Sequence, residues 1–335
     1  EWTWTLNGLA LEPTRQGNGN YDSYLISAKQ NGTEVIFCPN LIPSWMANEN
    51  PNNWGDWMSQ RLHRPGADPI DPQSYKEIGQ YYWQLAARYG KVNYPDSLLW
   101  LNQIPRWTND PVTPYASGMN LLTYMEVENE PDRPWKDPQY KYTPEQYACL
   151  LSVAYDGHEG TVKGVGIKTA DPTMQVVCGG LSYIAEDYLE AMMDWFRTYR
   201  KDGKFPADVI NVHHYCNSSN PPSGPINLVN GSGVSPEEDN LKARLTDLKR
   251  WCLKNTPNCD IWFSEFGYDT VRPSNPILSQ YPKLYGDYNA EDLQSIWLVR
   301  TFLEMISADI DAGFVYNAID EQNAANGNLF ASCGL

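Results

Sequence analysis

Residues 121–131 read Leu-Leu-Thr-Tyr-Met-Glu-Val-Glu-Asn-Glu-Pro, and residues 260–267 read Asp-Ile-Trp-Phe-Ser-Glu-Phe-Gly. Each is a short, strand-like run that ends in a carboxylate and is closed by a turn former, Pro131 or Gly267. A carboxylate at the end of an apolar strand is costly unless it is paired or put to use. Two of them, Glu130 and Glu265, point to chemistry at strand C-termini, where α/β barrels carry their reacting groups.

Outward from these stretches, strand-like runs alternate with amphipathic helices. Strands are expected at Glu34–Pro39, Leu121–Val127, Met174–Cys178, Asp208–His213, Asp260–Ser264 and Ala312–Asn317. The spacing of Tyr75, Ile78, Tyr82, Leu85 and Tyr89 predicts a helix stopped by Gly90. Thr143-Pro144-Glu145-Gln146 forms a capping box for a helix through about Asp156. Further helices are expected at Glu186–Arg200, after Ser235-Pro236-Glu237-Glu238 and after Asn289. Strands separated by helices make a parallel sheet with right-handed crossovers. The expected fold is a (β/α)8 TIM-type barrel over residues 1–335, one catalytic domain with strands three to eight readable. The barrel is expected to lack its first strands and last helix or to be truncated in them. The opening Trp2-Thr3-Trp4-Thr5 run is read as the tail of another strand, and Asp22–Gln30 as a helix. No G-x-G-x-x-G follows any strand, which disfavours a dinucleotide-binding open sheet.

His213 and Tyr215 sit at the end of Asn211-Val212-His213-His214-Tyr215, on the same rim as the two glutamates. Paired carboxylates at one rim suit glycosidic cleavage: one protonates the leaving oxygen, the other attacks or stabilises the oxocarbenium-like carbon. N-E-P, then H-x-Y, then S-E-F, each at a strand end and in this order, resembles the clan of (β/α)8-barrel glycoside hydrolases with catalytic glutamates on strands four and seven. Within it the pattern is similar to the xylosidase and iduronidase branch. The resemblance implies Glu130 as general acid/base and Glu265 as nucleophile of a retaining hydrolase of β-linked oligo- or polysaccharides. It places Asn129 on the sugar 2-hydroxyl, and His213 and Tyr215 beside Glu265, with Tyr215 donating to it. A retaining pair stands about 5–5.5 Å apart, and Glu130 is expected to hold its proton more tightly than Glu265.

The sequence departs from that pattern at Glu128, where many members carry Trp. Glu126, Glu128 and Glu130 alternate onto one strand face, so Glu128 either pairs with a basic residue or raises the pKa of Glu130. The arginine that many members place on an early strand has no counterpart. Trp45, Trp54, Trp57, Trp107 and Trp135 lie in loops flanking strand ends and are candidate sugar platforms, at least two of them in the cleft of Glu130.

With 25 Lys and Arg against 41 Asp and Glu, a net charge of −16 leaves little basic surface for nucleic acid. No run of about 18 apolar residues is present to span a membrane. The seven cysteines form no C-x-x-C pair; Cys252 and Cys259 flank a turn and are either free thiols or a small disulfide. Asn31, Asn217 and Asn230 begin N-x-S/T sequons. Neither a metal nor a cofactor is expected. His213 and His214 are adjacent on a strand and should point to opposite faces, so one ion would not bind both. Two competing functions remain: a carbohydrate-binding barrel without turnover, and a metal-dependent hydrolase, for which four His and no H-E-x-x-H give little support. A secreted location follows only from the substrate class.

Overall fold

The computed structural model describes residues 2–5, 8–14, 20–39, 46, 60–104, 108–222, 224–225, 232–270, 285–320, 330 and 332–335. In chain order its elements begin with β1 (Trp2–Thr5), β2 (Gly8–Leu11), α1 (Tyr21–Gln30), β3 (Ile36–Phe37), α2 (Lys76–Tyr89) and β4 (Tyr124–Val127). They continue with α3 (Pro144–Gly160), α4 (Ile167–Ala170), β5 (Gln175–Cys178), α5 (Glu186–Tyr199) and β6 (Val209–His213). The last are α6 (Leu241–Asn255), β7 (Asp260–Phe266), α7 (Ala290–Ser307) and β8 (Ala312–Val315). Strands β3 to β8 form one six-stranded sheet whose order follows the chain. This is the parallel strand-and-helix pattern of a (β/α)8 barrel, with six of its strands among the described residues.

The opening Trp2–Thr5 run is a strand, as expected, but not one of the parallel set. It pairs antiparallel with β2 in a separate two-stranded hairpin, Trp2 opposite Leu11 and Thr5 opposite Gly8.

The chain divides into two compact units. The first comprises Glu1–Asn129, Trp135–Cys178 and Met192–Asp208. Here β4 pairs in parallel with β3 and with β5, Met125 facing Phe37 and Val176. Helix α2 buries Ile78, Tyr82, Leu85 and Tyr89, as the spacing predicts, and each such side chain contributes about 1.5–3 kcal/mol by leaving water. It stops at Gly90, where a Cβ would collide with Asp171 and with the Ala86 carbonyl. Helix α3 starts at the expected box: Thr143 N–H donates to Gln146 Oε1 (3.2 Å) and Gln146 N–H to Thr143 Oγ1 (3.4 Å). Regular helical geometry gives out at Asp156, again as the sequence suggests.

The second unit comprises Glu130–Pro134, Gly179–Ala191 and Val209–Leu335. Strands β6, β7 and β8 pair in parallel, backed by α6 and α7. Asn289 caps α7 through a reciprocal box with Asp292. The Ser235–Glu238 box also forms, with both hydrogen bonds at 3.3 Å, but it closes a turn rather than opening a helix. Asn240 follows with left-handed φ (56°), which breaks the helical path, and α6 begins only at Leu241. Leu241, Leu245, Leu248 and Cys252 of α6, with Leu293 and Trp297 of α7, are buried.

Candidate active site

Strand β7 carries an irregularity that builds the site. Val212 pairs with Phe263, yet the next residue, His213, pairs with Glu265, so Ser264 is an extra residue in the ladder. The same shift appears against β8, where Phe263 meets Gly313 and Phe266 meets Val315. A bulge re-aims side chains without ending the strand. Its effect here is to set Glu265 level with His213 and to turn Ser264 toward the same imidazole.

Glu130 arrives differently. Strand β4 ends at Val127, and Glu128 (φ 72°) and Glu130 (φ 46°) both adopt left-handed backbone. The expected alternation of Glu126, Glu128 and Glu130 along one strand face therefore fails, because period two requires extended backbone. Instead Glu130-Pro131-Asp132-Arg133 is a tight turn closed by Arg133 N–H to Glu130 O (3.2 Å), with Pro131 at the position its fixed φ favours. Glu130 N–H donates to Gly180 O (2.9 Å).

The side chains of the second unit converge on His213. Its Nδ1 lies 3.0 Å from Glu130 Oε1 and 3.5 Å from Glu265 Oε2, and its Nε2 lies 3.1 Å from Ser264 Oγ. Tyr215 donates its hydroxyl to the other oxygen of Glu265, Oε1, at 2.5 Å. One ligand atom from each of Glu130, His213 and Glu265 falls within 4.8 Å of the other two. His213 and Tyr215 are both buried. Burial and the Glu265 charge push the Tyr215 phenol well above its ordinary pKa, so it remains a donor.

The Glu265 carboxyl is raised, chiefly by burial and further by the Glu130 charge, while His213 and the Tyr215 hydrogen bond pull it down. The desolvation follows from the place of Glu265 within β7, between Phe263 and Phe266.

His214 points elsewhere. Its Nε2 meets Asp239 Oδ2 at 2.5 Å, and Asp239 Oδ1 accepts from Asn220 (2.8 Å), while Cys216 completes a second buried cluster. The adjacent histidines thus serve different clusters, as strand geometry requires.

The remaining sequence candidates fare unevenly. Trp135 is exposed (54%), while Trp45, Trp54, Trp57 and Trp107 lie outside the described residues. Asn129 is half-buried, and its N–H donates to the buried Glu128 (3.1 Å), which gives Glu128 a local role. Cys252 and Cys259 are free thiols. Asn31 is exposed; Asn217 is buried, its side chain accepting from Ser219 N–H (2.8 Å); and Asn230 is outside the described residues. Sequence reasoning missed Gly180, Asp132, Ser182 and Ser264. Of these only Gly180, in the pair Gly179-Gly180 after β5, carried a signal, since glycine at a strand end marks close approach. A Cβ there would collide with the His213 ring.

A further group of contacts holds the far end of the chain against this site. Asp269 is fully buried and accepts from Phe330 N–H (2.7 Å) and Ser332 Oγ (2.5 Å). The Phe330 ring then packs 4.9 Å from that of Tyr215.

No family model matches the sequence, and no curated protein matches it. Among solved structures the chain is similar to a glucosidase from Croceicoccus marinus (11% identity, TM-score 0.52) and covers 97% of this chain and 51% of that one. It is likewise similar to a family 39 glycoside hydrolase from the gut symbiont Bacteroides cellulosilyticus WH2 (14% identity, TM-score 0.50), with the same 97% and 51% coverage. The chain spans about half the length of these structures. At such identities the likeness is one of fold, and it agrees with the barrel pattern of the strands. Among the described residues no helix is long and apolar enough to cross a membrane.

Proposed function

We propose that this protein is a retaining glycoside hydrolase acting on a β-linked oligo- or polysaccharide. The observation that carries the reading is the triad Glu130–His213–Glu265, with its three atoms within 4.8 Å and Tyr215 bonded to the outer oxygen of Glu265. An oxygen of each carboxyl within 4.8 Å of the other is nearer the about 5–5.5 Å of a retaining pair than the roughly 6.5–9.5 Å of an inverting one, which favours double displacement.

In the proposed cycle Glu265 attacks the anomeric carbon while Glu130 gives its proton to the leaving oxygen. Glu130 then takes a proton from water, which releases the sugar from Glu265. The Tyr215 hydrogen bond favours the ionised form of Glu265 against its burial, and His213 Nδ1 faces both carboxyls. Asn129 is assigned the 2-hydroxyl of the sugar on the resemblance, and Trp45, Trp107 and Trp135 are assigned sugar stacking on their loop positions beside strand ends. A carbohydrate substrate of this kind also favours a secreted protein.

Proton NMR of the first product from aryl β-glycosides tests the mechanism: retention is expected, and inversion rules it out. Glu130→Ala should lose roughly 10²–10⁴-fold on substrates with poor leaving groups and much less on activated ones, with partial rescue by azide. Chelators should leave the rate unchanged; a rate restored only by a divalent cation would favour a metal held by Glu130, His213 and Glu265 instead.

A further inference from the structure

Residues 180–182 tie the parts of the site together through alternate groups. Gly180 O accepts from Glu130 N–H (2.9 Å), and Leu181 O accepts from His213 N–H (2.7 Å). Ser182 then donates twice to the Asp132 carboxylate, from N–H (3.0 Å to Oδ1) and from Oγ (2.5 Å to Oδ2). Asp132 and Ser182 are both buried, and neither touches the reacting carboxyls directly through any of these bonds.

Asp132 sits in a turn with left-handed residues at Glu130 and Arg133, a backbone that persists only when its surroundings impose it. The Asp132–Ser182 hook is a side-chain bond that imposes it, and it anchors the turn to the same segment that holds His213. We propose that Asp132, acting through Ser182, is a positioning residue that fixes the Glu130 carboxyl on His213. This rests on the reading of Glu130 as the acid/base.

The hook's carboxyl also feels the Glu130 charge. Burial is the largest influence on Asp132, and with the Glu130 charge it outweighs the Ser182 hydrogen bonds and raises the carboxyl from 3.8 to about 6. Glu130 and Arg133 share its turn, and Tyr183 faces it from the loop after β5 with its hydroxyl on Asp187 (3.2 Å). A carboxyl raised on folding is favoured in its protonated form, so its contribution to stability falls as pH rises from 3.8 to about 6.

The test compares Asp132→Asn and Ser182→Ala with the wild type on a panel of aryl β-glycosides, together with thermal melts. Asp132→Asn should melt at or above the wild-type temperature at neutral pH. It should nevertheless lose on the order of 10²-fold in kcat on poor leaving groups, with KM little changed and activated substrates nearly spared. In a Glu130→Ala background the same substitution should cost nothing more, because a positioning residue acts only through its partner. A lowered melting temperature with wild-type kinetics, or a loss that is equal for all leaving groups and additive with Glu130→Ala, overturns the proposal. If no glycoside is turned over, the assignment of Glu130 fails, and NMR of the histidine imidazoles still decides the hook. The His213 Nδ1 signal should shift or broaden in both variants while that of His214, bonded to Asp239, stays put. An unchanged His213 signal overturns it.

Discussion

β7 and β4 each deliver a glutamate to one imidazole, but only β7 does so as a strand. Glu265 is embedded in Asp260–Phe266 and aimed by a bulge, with its outer oxygen fixed by Tyr215. Glu130 comes after β4 has ended, on a turn whose left-handed residues each cost roughly 1–3 kcal/mol. The difference matches the proposed division of labour. A nucleophile must meet one carbon along one line, and a packed strand provides that. An acid/base must hand a proton out and take one back, and a turn hooked at Asp132 holds it without burying it in a strand.

The largest effect should follow from the strand side. Glu265→Gln removes the nucleophile while keeping its shape, and turnover of aryl β-glycosides should fall by ~10⁴-fold or more. A residual rate within about tenfold of the wild type would break the comparison. Next comes the segment that serves the turn. Gly180 lies outside the left-handed region, so Gly180→Ala is a test of space alone: the added methyl meets the His213 ring. Displacing that ring by about an ångström should cost on the order of 10²-fold in kcat, with the fold retained by circular dichroism. Wild-type kinetics in this variant would show that His213 need not stay where it is.

Tyr215→Phe sharpens the comparison through pH. The Tyr215 hydrogen bond lowers the pKa of Glu265, so its loss lets burial and the Glu130 charge raise that pKa further. The acid limb of kcat/KM, which reports the free enzyme, should move to higher pH, with a loss of roughly tenfold or more at neutral pH. An acid limb that stays fixed would mean that another group titrates there. The smallest effect is expected at the far end of the chain. Phe330→Ala removes the ring that packs on Tyr215 and should lower kcat only a few-fold, with the same direction of shift in the acid limb and a smaller size.

What the sequence made legible were features whose cause is local. The strands were found from short apolar runs, and the helix caps at Thr143 and Asn289 from side chains that bond their own first turn. The convergence of Glu130, His213, Tyr215 and Glu265 followed from placing three motifs at strand ends. The Ser235 box forms its two hydrogen bonds but closes a turn, and the left-handed Asn240 puts the helix start at Leu241, a geometry that no residue type in the sequence announces. The alternation of Glu126, Glu128 and Glu130 misled for the same reason: the Glu130–Arg133 turn depends on what it is tied to, and its side-chain tie is fifty residues away at Ser182. The raised Glu265 carboxyl had no sign in the sequence, because burial within β7 arises only when the neighbouring strands have paired. Ser264 gave no sign of being a bulge, since a bulge is defined by its partners' register and not by its own side chain.

The central claim is that Glu265 forms a covalent bond to sugar. Incubation with 2-deoxy-2-fluoro β-glycosides, which slow release of the glycosyl-enzyme, followed by peptide mass spectrometry, addresses it directly. The account predicts stoichiometric labelling of the peptide containing Glu265, with no label in Glu265→Gln. Labelling of a different residue, or turnover of the parent glycosides with no label trapped at all, would contradict it.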